Sequence, residues 1–285
     1  MTLASRIAKS RPVTGQHSWA NSLCAPALTL ALALGTSTAS LAQQGASTAQ
    51  DSVVSAQSLR ITAAIESPLR PIAHVLRDEA RRPLEALEFM QIRAGGRVLD
   101  LYAADGYYSF LLAAAVGENG RVYAQNPAPT PDSDFDDIQQ MFSLGEALDQ
   151  LIAQSGLETI THLRADFAAL NIPEATLDAV LMGQILHDFA NSDERAALAL
   201  LRSFHALLRT GGSLVVIDHA GDAGQDNARL HRMPASEAIR LASAAGFSLA
   251  DESALLSNPS DRRRRPVFDP MLGRNTDRFL LRFER

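Results

Sequence analysis

The run Gly95-Gly-Arg-Val-Leu-Asp-Leu-Tyr-Ala-Ala-Asp-Gly-Tyr-Tyr-Ser109, continued by Gly120-Arg-Val-Tyr-Ala-Gln-Asn126, decides the fold. Arg97 to Leu101 is a short apolar run with little alternation, which suits a strand covered on both faces of a parallel sheet. Ala103-Ala-Asp-Gly106 is small and turn-forming. From Tyr107 to Val116 apolar residues recur at helical spacing, and Gly117 and Gly120 end that helix. Arg121 to Gln125 is the next strand. A strand, turn, helix and strand in this order bring a helix N-terminus to the carboxyl edge of the first strand, where α/β proteins bind nucleotides.

The same alternation continues on both sides. Upstream, Pro71 to Ile92 carries a helical pattern through Ile72, Val75, Leu76, Leu84, Leu87 and Phe89, which Pro83 divides into two helices. Asp78, Arg81 and Arg82 fall together there, either as an intrahelical ion pair or with an arginine turned to a substrate. Downstream, a proline-rich acidic loop from Asn126 leads to a helix over Phe135–Ser155 and a third strand over Thr159–Arg164. Leu177–Met182 is a fourth strand, and Ser192 or Asp193 caps a helix reaching Leu208. Thr210-Gly-Gly212 turns the chain into a fifth strand, Ser213–His219. A helix from Pro234 to Ala245, a strand over Gly246–Glu252 and an alternating antiparallel strand over Asp277–Glu284 complete the pattern. The run Arg262–Arg265 lies in the last loop, either paired to nearby acids or binding an anion.

The N-terminus has a different composition. Arg6, Lys9 and Arg11 precede an apolar run over Leu23–Gly35, and Ser40-Leu-Ala42 has the form of a leader cleavage site. Residues 1–42 therefore read as a signal peptide cleaved after Ala42, 43–58 as a flexible tether, and 59–285 as one domain. The apolar run is short for a bilayer span, so no stable membrane insertion is expected after cleavage. Removing 1–42 takes away three basic residues and no acid, which moves the net charge from −6 to −9 and disfavours nucleic acid as a partner. The only cysteine, Cys24, goes with the leader, so the remainder has neither a disulfide nor thiol chemistry.

On these residues the chain resembles the class I S-adenosylmethionine-dependent methyltransferases, in particular exported methyltransferase-like proteins of bacteria. Their first motif is an acidic residue followed by three alternating glycines. Asp100 takes the acidic position, while Tyr102, Ala104 and Gly106 take the glycine positions. The segment Ile185-Leu-His-Asp-Phe-Ala-Asn-Ser-Asp-Glu194 is similar to the Leu-His-Asp-aromatic segment that follows strand four in small-molecule O-methyltransferases. The resemblance implies a Rossmann-like seven-stranded sheet of order 3-2-1-4-5-7-6, with strand 7 antiparallel and helices on both faces. It implies S-adenosylmethionine as cofactor and a small-molecule acceptor, with oxygen the expected methyl acceptor. By the same carry-over, Asp100, Tyr102, Ala103 and Gly106 form the methionine-side turn and Asn126 meets the ribose. Asp166 and Phe167 meet the adenine, Gln184 stands at the donor mouth, and His187 is the base.

A base near neutral pH is what an acceptor hydroxyl needs, and histidine is the side chain suited to it. Two other readings stand beside this one. His187, Asp188, Asp218 and His219 fall at the carboxyl ends of adjacent strands, where they could gather a metal ion or serve as ordinary edge groups; no metal is expected. The domain could also be an exported binding module that kept the fold without the reaction, since a Tyr102 ring filling the cofactor volume would block the donor. An open cleft over Gly106 separates these readings. A valine at 106 is expected to abolish donor binding by blocking backbone approach.

Overall fold

The computed structural model describes residues 56–129 and 135–285; the leader and the tether as far as residue 55 lie outside the described residues. Helix α1 spans 56–65. It is followed by α2 (Ile72–Val75), α3 (Asp78–Arg81) and α4 (Pro83–Met90). Strand β1 (Arg97–Leu101), α5 (Tyr107–Val116) and β2 (Arg121–Asn126) come next, then α6 (Phe135–Ser155) and β3 (Ile160–Arg164). The second half runs β4 (Leu177–Gly183), α7 (Leu186–Ser192), α8 (Glu194–Leu207), β5 (Leu208–His219), α9 (Asn227–Leu230), α10 (Ala235–Ala244), β6 (Ser248–Ser253) and β7 (Arg278–Glu284).

The strands form one sheet in the order β3-β2-β1-β4-β5-β7-β6. Pairs from β3 to β5 are parallel, and β7 runs antiparallel to β5 and β6. This is the class I methyltransferase fold. Its central strands show no alternation because both faces are covered. Val98, Leu181, Val215 and Ile217 pack with α4 and α5 on one side. Leu99, Val180, Met182 and Val216 pack with α8 and α10 on the other. Helix α5 has nine of its ten residues buried, which explains why it is apolar nearly all round.

Four stretches differ from the sequence expectations. Helix α1 starts at residue 56, inside the stretch expected as tether, and docks on the end of α5: Gln57 Nε2 donates to Ile92 O (2.7 Å) and Ala115 O (2.8 Å), and Ile61 is buried. Residues 72–90 form three helices instead of two. Pro83 opens the third, and the first breaks after Val75 because Ile72 and Leu76 face solvent instead of holding it to the core. Residues 186–192, read as a connector, are helical, with Asp193 capping α8 behind them. Thr210-Gly-Gly212 is an irregularity inside β5, not a turn before it; Leu208 already pairs with Leu177, and Gly211 has φ +71°.

Gly106 opens α5 with φ +85°, and a Cβ there would lie 2.6 Å from Leu148 Cδ1 of α6. The side-chain direction at 106 therefore points into helix packing and not into the cofactor cleft. Gly106→Val should cost about 3 kcal/mol of stability through overpacking and left-handed strain, measured by urea denaturation. Unchanged stability would mean that α6 does not seat against the turn.

Candidate functional site

The turn from β1 to α5 takes positive φ at alternate residues: Tyr102 (+52°), Ala104 (+52°) and Gly106 (+85°). These are the three positions where the motif has glycine. For Tyr102 and Ala104 this conformation costs about 1–2 kcal/mol each. The end of β2 offsets that cost with hydrogen bonds. Tyr102 N–H donates to Gln125 Oε1 (3.1 Å), Ala103 N–H to Gln125 O (2.8 Å) and Ala104 N–H to Asn126 Oδ1 (2.8 Å). Asn126 Nδ2 returns a bond to Ala104 O (3.0 Å), and Gln125 Nε2 donates to Ala165 O (2.8 Å).

Asn126 is buried and its second amide hydrogen faces His162 Nε2 at 3.2 Å. Asp149 lies 2.7 Å from His162 Nδ1, which sets the tautomer so that Nε2 accepts. Both N–H groups of Asn126 are thus used inside the protein. In this structure the amide braces the turn. Gln125, which sequence reasoning passed over, shares that work.

Over the turn lies an open cleft of about 220 Å³, lined by Asp100, Tyr102, Ala103, Asp105, Arg81 and Gln184 among others. The Tyr102 ring does not fill it. That ring packs against Phe167 (5.8 Å between centroids) and Phe189 (6.1 Å), at the border with a second cleft bounded by Ile185 and Asp188. Phe167 and Phe189 also meet each other edge-on. Asp166, at the end of β3, is exposed next to this aromatic group. Gln184 has φ +62°, its N–H donates to Ile217 O (2.6 Å), and Arg81 Nη2 donates to its Oε1 at 3.4 Å.

The carboxylates around the cleft have assigned partners. Burial drives the Asp100 pKa up to about 7 against the hydrogen bond from Ser109 Oγ (2.6 Å). Burial opposes charge on Asp105 too, but hydrogen bonds from His74 and Arg77 hold its carboxyl well below the usual range. Asp78 receives Arg70 and the Tyr107 hydroxyl (2.7 Å). Neither expected pairing within 78–82 forms: Arg82 pairs with Glu85, and Arg81 lies over the Tyr107 ring, 4.4 Å from its centroid. In the arginine run, Arg263 pairs with Asp222 and Asp277, and Arg265 with Asp269.

His187 is buried, and both its nitrogens are engaged. Nδ1 lies 2.7 Å from Asp218 Oδ1, Nε2 lies 3.1 Å from Asp188 Oδ1, and the backbone N–H donates to Asp218 Oδ2 (2.9 Å). Burial opposes its charge, but the hydrogen bonds to Asp188 and Asp218 outweigh this and raise its pKa to about 10. Held between two carboxylates, the ring favours its charged form, and nothing in this arrangement supports the expected role as base. The edge cluster also regroups. His219 Nδ1 turns to Thr276 Oγ1 (2.7 Å), and His231 joins instead, its Nδ1 3.1 Å from Asp188 Oδ1. Among the described residues, His187, Asp188 and His231 are the one group able to converge on a metal ion, with ligand atoms within 4.8 Å.

Comparison with known proteins finds the same fold. Residues 140–248 match the O-methyltransferase domain family, a stretch that holds Gln184, His187 and Asp218 but not the 102–106 turn. Among solved structures, the chain is similar to a SAM-dependent methyltransferase from Aquifex aeolicus, at 18% identity and a TM-score of 0.52 over 73% of this chain and 91% of that one. It is also similar to a protein provisionally described as a sarcosine dimethylglycine methyltransferase from Galdieria sulphuraria, at 14% identity and a TM-score of 0.51 over 72% and 84% of the two chains. No curated protein sequence matches the chain. The solved structures share the fold of this chain, and the domain match lies over its second half.

Because the folded His187 pKa lies above its ordinary value of 6.5, its stabilisation is complete below pH 6.5 and is lost as pH rises through about 10. Wild type should exceed His187→Gln by about 3 kcal/mol at pH 6, and chemical denaturation should show the gap narrowing towards pH 10. A gap independent of pH would contradict the imidazolium assignment.

Proposed function

We propose that this chain is an S-adenosylmethionine-dependent methyltransferase acting on a small molecule, with oxygen as the methyl acceptor. The observation that carries the reading is the open cleft over a turn whose three glycine positions are left-handed, at the carboxyl edge of β1. The chain's residues fit the donor. Asp100, Tyr102 and Ala103 line the methionine side, and Gly106 starts the helix whose positive end faces it. Phe167, packed on Tyr102, and the exposed Asp166 would take the adenine side, and Gln184, in the cleft lining, would bound the donor mouth. Bound there, the donor supplies a methyl group already activated by its sulfonium.

The protein's share is alignment and exclusion of water. Tyr102, Phe167 and Phe189 give an apolar flank, and the Asp105–Arg77 pair fixes α3 over the cleft. Against a module without chemistry stands the Tyr102 ring, which lies against Phe167 and Phe189 and leaves the cleft open. What supports export is the leader-like composition of residues 1–42, with Arg6, Lys9 and Arg11 ahead of the apolar run and Ala42 at the cleavage position. A periplasmic location follows from that reading.

Calorimetric titration of the full chain with S-adenosylmethionine and S-adenosylhomocysteine should give micromolar, one-to-one binding. Absence of heat at millimolar ligand, with the protein shown folded, would contradict the donor site.

A further inference from the structure

We infer that the cavity beside the donor cleft is the acceptor site and that it takes a small organic carboxylate, anchored by Arg278 and Arg81; the word acceptor rests on the methyltransferase reading, while the anion site does not. This cavity measures about 360 Å³ and shares Arg77, Arg81 and Gln184 with the donor cleft as a common wall. Its other walls include Arg274, Arg278, His219 and Thr276, and no described aspartate or glutamate lines it. The chain as a whole is acidic, with a net charge of −6, so a wall of arginines is not a product of composition.

Arg278 carries most of the weight. Four arginines are buried among the described residues: Arg70, Arg232, Arg278 and Arg282. Arg70 pairs with Asp78 (2.6 Å), Arg232 with Asp261 (2.8 Å) and Arg282 with Glu284 (3.4 Å). Arg278 makes no ion pair with any described residue. It is 3% exposed and donates only to two carbonyls, Ala80 O at 2.6 Å and Thr276 O at 3.3 Å. A buried guanidinium without a counter-charge is costly, and burial is the main influence lowering its pKa. An anion in the cavity relieves that cost. A planar carboxylate matches the fork of N–H groups that a guanidinium presents.

Arg81 is the second anchor. It stacks over Tyr107 and makes only a 3.4 Å contact with Gln184 Oε1, again with no described carboxylate partner. His219 adds no positive charge of its own, since burial pushes its pKa well below the ordinary value, and its Nδ1 is held by Thr276. Val267 and the exposed Phe268 supply an apolar side for the body of such a molecule.

The test is calorimetric titration of the full chain with benzoate and with benzamide, its neutral counterpart, alongside S-adenosylhomocysteine. Benzoate should bind saturably and benzamide about tenfold more weakly or worse. Arg278→Met should lose benzoate binding and keep S-adenosylhomocysteine binding. Arg81→Met, on a half-buried side chain, provides a second loss should the first variant misfold. Equal binding of the two probes, no binding of benzoate, or wild-type benzoate affinity in a folded Arg278→Met or Arg81→Met protein would overturn the proposal. Benzoate binding without S-adenosylhomocysteine binding would uphold the anion site and contradict the methyltransferase reading.

Discussion

Two amide side chains at the end of β2 hold the molecule's central turn in a shape its own residues disfavour. Tyr102 and Ala104 stand where a side chain makes the left-handed conformation expensive, yet both adopt it. They do so because Gln125 and Asn126 accept their N–H groups, and because those amides are fixed in turn by Ala165 and His162. Conformational strain normally avoided by glycine is here balanced by tertiary hydrogen bonds. The consequence is geometric. With the turn held open, the N-terminus of α5 and the carboxyl ends of β1 and β4 face one cleft, and the Tyr102 ring lies against Phe167 and Phe189 instead of across it.

Around this turn the charges fall into two groups. Asp78, Asp105, Asp188 and Asp218 are committed to Arg70, Arg77, His231 and His187, ties that join α3, α7 and β5 to the rim. What remains without a described carboxylate is cationic: Arg81 over its tyrosine and Arg278 beneath α3. Structural ion pairs therefore surround a pocket whose own charge is positive, inside a chain that is negative overall. Selectivity for an anion follows from the placement of a few groups and not from bulk electrostatics.

The fold was legible because it rests on periodicity. Runs such as Val98–Leu101 and Leu214–Ile217 are apolar without alternation, and only strands covered on both faces tolerate that. The small helices were less legible, since Ile72 and Leu76 mimic a core stripe while facing solvent. The site was read only in part. Asp100, Tyr102, Ala103 and Gln184 line one cleft. Asn126 and His187 do different work, for reasons no local pattern carries. The direction of the Asn126 amide depends on φ at Ala104, 22 residues earlier. The state of His187 depends on Asp218, 31 residues later. Arg278 looked like one polar residue at the start of an alternating strand; its lack of a partner is visible only once α3 covers it.

Strand β2 keeps this turn rigid before any donor arrives. Amide hydrogen exchange on the ligand-free protein tests it at Tyr102, Ala103 and Ala104. Each of these N–H groups has a fixed acceptor, so all three should exchange as slowly as the neighbouring core strands, and Asn126→Ala should selectively release Ala104. Exchange at the rate of an open loop in the wild-type protein, with the sheet itself protected, would contradict the account.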